Sequence, residues 1–236
     1  MHKNWIRLKI SEKIILDLQK EKNNDASNLC INEPKIDFRN NENADLFKKI
    51  IKITKHNYFN TLLEIFNDLE HFDFKNAKSV NSDIKTYSSY EKSNYTLREH
   101  INLMEHTCNV VDEAIEICKD QNDGSKAIIL LLSLTHDFGK SDDVRNYIES
   151  TKSEKHHHVS AKYLQVKLLN NKELDQLTNE HIEEIYNILA THHDDNVKTK
   201  STIVELFHKA DINASEKEIK KLLKQFQKKE GASNDN

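Results

Sequence analysis

The chain has 236 residues, with 35 Lys and Arg against 39 Asp and Glu, a formal net charge of −4 with histidine neutral. Three Gly and one Pro are too few breakers for a β-sandwich, a barrel or a Gly-rich phosphate loop, so an all-α protein is expected, as one large domain or one domain with an appended subdomain. A hydrophobic fraction of 36% provides a core, and no run approaches the roughly 20 apolar residues that span a bilayer.

Trp5 to Leu18 is amphipathic and opens the chain, and an Asn- and Lys-rich loop surrounds Pro34. The opening MHKNWIRLKI has neither an apolar signal core nor a small-residue cleavage site. Cys30, Cys108 and Cys118 lack motif spacing, the latter two falling at apolar helix positions, so a reducing, cytoplasmic location without membrane attachment is expected. Leu46, Ile50, Ile51 and Ile53, then Leu62, Leu63, Ile65, Phe66 and Leu69, recur at helical spacing and predict one or two helices over 44–75. The Ser-, Asn- and Tyr-rich stretch 76–95 reads as a linker. The expected division is a helical N-terminal extension with linker over 1–95 and a principal domain over 96–230.

Thr96 with Glu99 has the form of a capping box, opening a helix to about Lys119. Ser125 is the expected cap of the next helix, which is apolar nearly all round through AIILLLSL and is therefore the buried centre of the fold. It ends at His136–Asp137, with Gly139 where a left-handed terminating residue belongs. Ser141 starts a short helix, and further helices are expected over 155–169, 178–193 and 201–212. Ser215 with Glu218 is a second capping box, opening a Lys-rich helix to about Lys228, and the tail GASNDN is expected to fray.

Thirteen histidines are the departure that matters, because helix packing does not ask for them. Most lie between His100 and His208: His106, the pair His136–Asp137, the triple His156–His157–His158 and the pair His192–His193, with Asp211 after them. Each group falls within, or at the end of, a different predicted helix. A bundle that turns His and carboxylate side chains inward from several helices builds a metal site. Imidazole with carboxylate suits Fe, Mn, Zn, Co or Ni, whereas Mg or Ca would need oxygen alone. An unpaired aspartate beside a buried helix costs several kcal/mol unless its charge is matched, and a divalent cation is one match for Asp137. Successive helical residues are about 100° apart, so His136 and Asp137 can reach one metal cluster but not one position on it. A carboxylate can also bridge two cations.

The segments H-T-C-N-V-V at 106–111, L-T-H-D-F-G-K at 134–140, H-H-H-V-S-A-K-Y-L at 156–164, I-L-A-T-H-H-D at 188–194 and F-H-K-A-D at 207–211 resemble the HD-domain superfamily of metal-dependent phosphohydrolases. The resemblance covers about Thr96 to Lys220 and leaves residues 1–95 without a match. It implies an HD helical bundle in which His106, His136, Asp137 and Asp211 hold one metal. Two-metal members such as the HD-GYP phosphodiesterases add a further His and an HH pair. Alignment of VSAKYL puts the added ligand at His156, with His157 and His158 as alternatives, and His192 and His193 supply the pair. Seven ligands with Asp137 bridging imply two divalent transition metals, Fe or Mn foremost, with Ni, Co or Zn also suited. The Gly-Tyr-Pro signature is missing, since the chain reads D-D-N-V-K-T-K-S after His193.

The resemblance implies hydrolysis of a small or cyclic nucleotide by metal-activated water. Asp137 is catalytic, and Lys140 is placed to offer a cation to phosphate; Arg145 is a second choice for that role. Related alternatives are an HD nuclease or relaxase-associated module acting on single-stranded nucleic acid, a diiron oxygenase and a non-catalytic signalling domain. His100, about 120° around the helix from His106, and Arg98 read as surface residues or as partners of the ligands. His208, three residues before Asp211, reads as a residue without a role at the site, with support of Asp211 as the alternative. His2, His56, His71 and His181 carry no signal. The lysines of the last helix, Lys217, Lys220, Lys221, Lys224, Lys228 and Lys229, read as a solvated face rather than a nucleic-acid patch. No oligomeric state is implied.

Overall fold

A computed structural model of the chain describes residues 41–80, 97–193 and 201–233, with side chains described from 43 and as far as 225. Contacts divide the chain after Asp37, and everything described belongs to the unit that follows. The Trp5–Leu18 element, Pro34, Cys30, most of the expected linker and the D-D-N-V-K-T-K segment after His193 lie outside the described residues. Among the described residues every named element is helical, and the only β feature is an isolated bridge between Lys78 and Asn102.

Helices α1 (Asn41–Thr54) and α2 (Phe59–Leu69) are followed by α3 (Leu103–Ile117) and α4 (Asp123–Thr135). A single 3-10 turn (Phe138–Lys140) leads to the short α5 (Asp142–Tyr147). Then come α6 (His156–Asn170), α7 (Asn179–Thr191) and α8 (Thr202–Ser233). None of these is long and apolar enough to cross a membrane.

The apolar run of α4 forms the centre, as its pattern requires. Ile129, Leu130, Leu131, Leu132 and Leu134 are fully buried, each stabilising the fold by roughly 1.5–3 kcal/mol. Helices α1, α3 and α8 pack around α4, α8 also packs along α3, and α6 pairs with α7. Two polar devices hold α2 against α6 and the chain beyond it. The Asp175 carboxylate accepts from the amides of Asn60 and Thr61 at 3.0 and 2.8 Å, capping an α2 N-terminus for which Tyr58 offers no side-chain bond. Buried Lys167 is paired with Glu64 and Asp68 at 2.8 and 2.6 Å, which matches a charge that burial would otherwise penalise.

Three local expectations are corrected. The helix expected to run unbroken to about Lys119 is interrupted: Leu97 and Arg98 are helical and residues 99–102 are not, while Thr96 lies outside the described residues. Helix α3 begins at Leu103 with Asn102 as its cap, accepting from the Glu105 amide at 2.8 Å. Ser125 is likewise not the cap of α4, because Asn122 accepts from the Ser125 amide at 2.9 Å. The second capping box opens nothing, since α8 runs unbroken through Ser215 and on to Ser233. A backbone already bonded within a helix has no free donors for Ser215 to cap.

Gly139 is corrected too, for a different reason. No glycine has positive φ among the described residues. A Cβ at Gly139 would lie 2.1 Å from the His156 carbonyl oxygen and 2.7 Å from Val159 Cβ. Glycine is required because the turn must press against the first turn of α6. The Gly139 amide donates to Ser160 Oγ at 2.8 Å across that contact. The result sets His156 beside Asp137.

Candidate metal centre

Two of the sequence pairs sit at helix ends, and the ends explain their geometry. His136 caps the C-terminus of α4 and His192 that of α7. Carbonyls in a final turn lack a full set of helical partners. The Nδ1 of His136 lies 3.0 Å from the Ser133 carbonyl, and that of His192 lies 2.6 Å from the Leu189 carbonyl. A carbonyl only accepts, so Nδ1 carries the proton and Nε2 presents a bare lone pair. Both Nε2 atoms are buried without a hydrogen-bond partner, a costly state for a polar atom that nothing coordinates.

The His136 lone pair converges with carboxylates, and that of His192 with other imidazoles. His106 Nε2 and His136 Nε2 each lie 3.5 Å from Asp137 Oδ2. Asp211 Oδ1 lies 3.4 Å from His106 Nε2 and 3.8 Å from His136 Nε2. On the other side of Asp137, Oδ1 is 3.4 Å from His156 Nε2, which is itself 3.1 Å from His193 Nε2. Ligand atoms of His156, His192 and His193 all lie within 4.8 Å of one another, as do those of His106, His136 and Asp137. Metal–nitrogen bonds of about 2.1 Å give ligand–ligand edges of about 3.0–3.4 Å, so the spacing fits a divalent transition ion. The seven residues singled out in the sequence are brought together.

The electrostatics agree with this chemistry. Burial pushes His192 down to about 2, with His193 adding to it. Burial also outweighs the attraction of Asp137 to bring His156 down to about 3. Both are neutral and able to act as ligands at ordinary pH. Burial likewise lowers His136 and His193. His106 goes the other way. Burial opposes its charge, but bonds to Asp211 and Glu218 and the charge of Asp137 raise it to about 9. Asp137 is held well below the carboxylate range, because Lys140 and the surrounding imidazoles overcome the effect of burial. His106, His136 and Asp137 are almost wholly buried, whereas Asp211 is 25% exposed and His193 is exposed. Among the described residues the centre is therefore closed on the His106 side and more exposed toward His193 and Asp211.

Of the triple, His156 joins the centre. His157 is buried, its ring 5.6 and 5.3 Å from those of His192 and His193, and the His158 ring lies tilted beside it at 4.4 Å. Lys140 Nζ lies 2.5 Å from Asp137 Oδ2 and 2.5 Å from the Ser79 carbonyl. Arg145 is placed elsewhere, donating to the carbonyls of Thr151 and Glu154 and bracing the loop that leads into α6. His208 sits against Phe207, 6.3 Å from His192 between ring centres. His100 is exposed, and Arg98 Nε lies 3.7 Å from Glu218.

Glu218 and Asn109 escape a reading for metal ligands. Glu218 Oε1 lies 3.0 Å from His106 Nδ1 and accepts from Asn109 Nδ2 at 2.8 Å. Its capping-box pattern hid it. The available signal was its spacing from Asp211, since seven residues return to the same helix face.

A family model for the HD domain matches residues 103–229, more than half of the chain. The chain belongs to the HD domain family. No curated protein and no solved structure matches it. HD domains bind divalent metals, and most of the family are hydrolases. In this HD domain the His136–Asp137 pair lies where the two ligand groups meet.

Proposed function

We propose that the chain is a metal-dependent phosphohydrolase that cleaves a phosphomonoester or phosphodiester of a small or cyclic nucleotide, using two divalent transition ions that share Asp137. One observation carries this reading: the two oxygens of Asp137 face different ligand groups, Oδ2 toward His106 and His136, Oδ1 toward His156. Bound there, two cations would supply an activated water and stabilise charge on phosphoryl oxygens. His106, His136, Asp137 and Asp211 would hold one ion, and Asp137, His156, His192 and His193 the other. Iron or manganese suits this mixture of imidazole and carboxylate.

The chain's own residues supply the remaining requirements. The buried His106 and His136 exclude bulk water from one side. Substrate enters on the more exposed side, past His193 and Asp211. Lys140, at the rim, balances the charge of Asp137 and offers its ammonium to a phosphate oxygen when substrate is present. Water attacks directly, with no covalent nucleophile.

The test is a panel of nucleotide phosphomonoesters, linear diesters and cyclic nucleotides, incubated with protein loaded with Mn or Fe. Release of phosphate or linear product, abolished by Asp137→Ala, is the expected result. Failure to cut any member overturns the proposal. A labelled oligonucleotide in the same panel separates a nuclease from a small-nucleotide enzyme. The last helix favours the small-nucleotide enzyme: Lys217 and Lys221 are paired with Glu113 and Glu105 on α3.

A further inference from the structure

His106 differs from the other buried imidazoles of the centre in how its ring is held. His136 and His192 each use a carbonyl three residues back at a helix end. His106 lies in the first turn of α3, and the nearby Asn102 carbonyl already accepts from the His106 amide. Its orientation must come from another element, and α8 provides it. Asp211 faces Nε2 at 3.4 Å, while Glu218, seven residues on, faces Nδ1 at 3.0 Å. One face of α8 thus clamps both nitrogens of a ring 112 residues away in the chain.

Glu218 is itself built in. Its side chain is 2% exposed, and a carboxylate so buried costs several kcal/mol unless matched. Asn109 on α3 donates to Oε1, and Arg98 lies 3.7 Å from Oε2. An ionised carboxylate only accepts, so His106 Nδ1 must be the donor, and Nε2 is directed at Asp137 and Asp211.

We propose that Glu218 is the positioning residue of the metal centre: its bond to Nδ1 fixes the His106 ring and strengthens Nε2 as a donor to the ion on the His106 side. The inference rests on the metal-centre reading above. Partners of this kind change metal affinity by roughly 10–100-fold.

The experiment is titration of metal-depleted full-length chain with cobalt(II), following the visible absorption bands and the stoichiometry against a chelator. Two binding events are expected in the wild type. Glu218→Ala should weaken one event by roughly 100-fold and change its spectrum. Glu218→Gln, whose amide oxygen still accepts from Nδ1, should weaken the same event by roughly tenfold with the spectrum kept. His193→Ala should affect the other event. Circular dichroism of the metal-free variants checks folding, and if Glu218→Ala does not fold, Glu218→Gln alone decides. Folded variants that bind both ions with wild-type affinity and spectrum overturn the role of Glu218 while leaving the centre intact. A wild type that binds no cobalt overturns both.

Discussion

A methyl group at residue 139 has nowhere to go. It would meet the His156 carbonyl and Val159 at distances no relaxed structure allows. Gly139→Ala is therefore expected to destabilise the chain by roughly 1–3 kcal/mol through overpacking. Because the displaced neighbour is the first turn of α6, the same change should weaken metal binding on the His156 side; thermal melting with and without metal checks both effects. The histidines predict a pH dependence of the metal-free chain. His106 is raised from 6.5 to about 9, so its contribution is fully present below pH 6.5 and is lost between pH 6.5 and about 9. His156 and His192 are lowered to about 3 and about 2. Their neutral forms favour the fold above pH 6.5, and that stability falls as the pH drops below it. Melting temperatures in chelator should peak near pH 6.5 and decline on both sides. A flat profile from pH 6.5 to 9 would contradict the His106 environment.

At the scale of elements, α8 is where sequence and structure part most clearly. Two helices separated near Ser215 are expected from the pattern, and one helix is found. The difference has a test in Glu216, which is exposed and pairs only with Lys220 among the described ion pairs. Proline is tolerated at the first position of a helix but costs about 3 kcal/mol in an interior. Glu216→Pro should therefore cost about that much, and should also loosen the register between Asp211 and Glu218. Chemical denaturation gives the first quantity and cobalt titration the second; a neutral effect on stability would mean that a helix begins at this point. The pairs His136–Asp137 and His192–His193 were legible because histidines next to a carboxylate or to each other, at the ends of separate predicted helices, follow the order of the HD-domain segments. The carbonyls that orient their rings emerge only from the helix ends in the structure. Glu218 was not legible, because its role depends on a contact 112 residues away in the chain, and a local capping pattern explained it just as well.

Across the whole molecule, the near absence of Gly and Pro and the apolar run of α4 were enough to indicate a helical bundle with a buried central helix, since burial of that run leaves few other solutions. Less legible were the long-range polar devices. Asp175 as the cap of α2 and Lys167 between Glu64 and Asp68 join residues more than 90 positions apart, and no local pattern marks them. The bundle they complete brings α3, α4, α6, α7 and α8 to one point, with Asp137 at the meeting of two ligand groups. The most direct measurement of that claim is the metal content of the purified chain by elemental analysis, paired with Asp137→Ala. About two transition-metal ions per chain are expected, both lost or sharply reduced in the variant. One ion per chain, or two that survive removal of Asp137, would contradict the shared carboxylate.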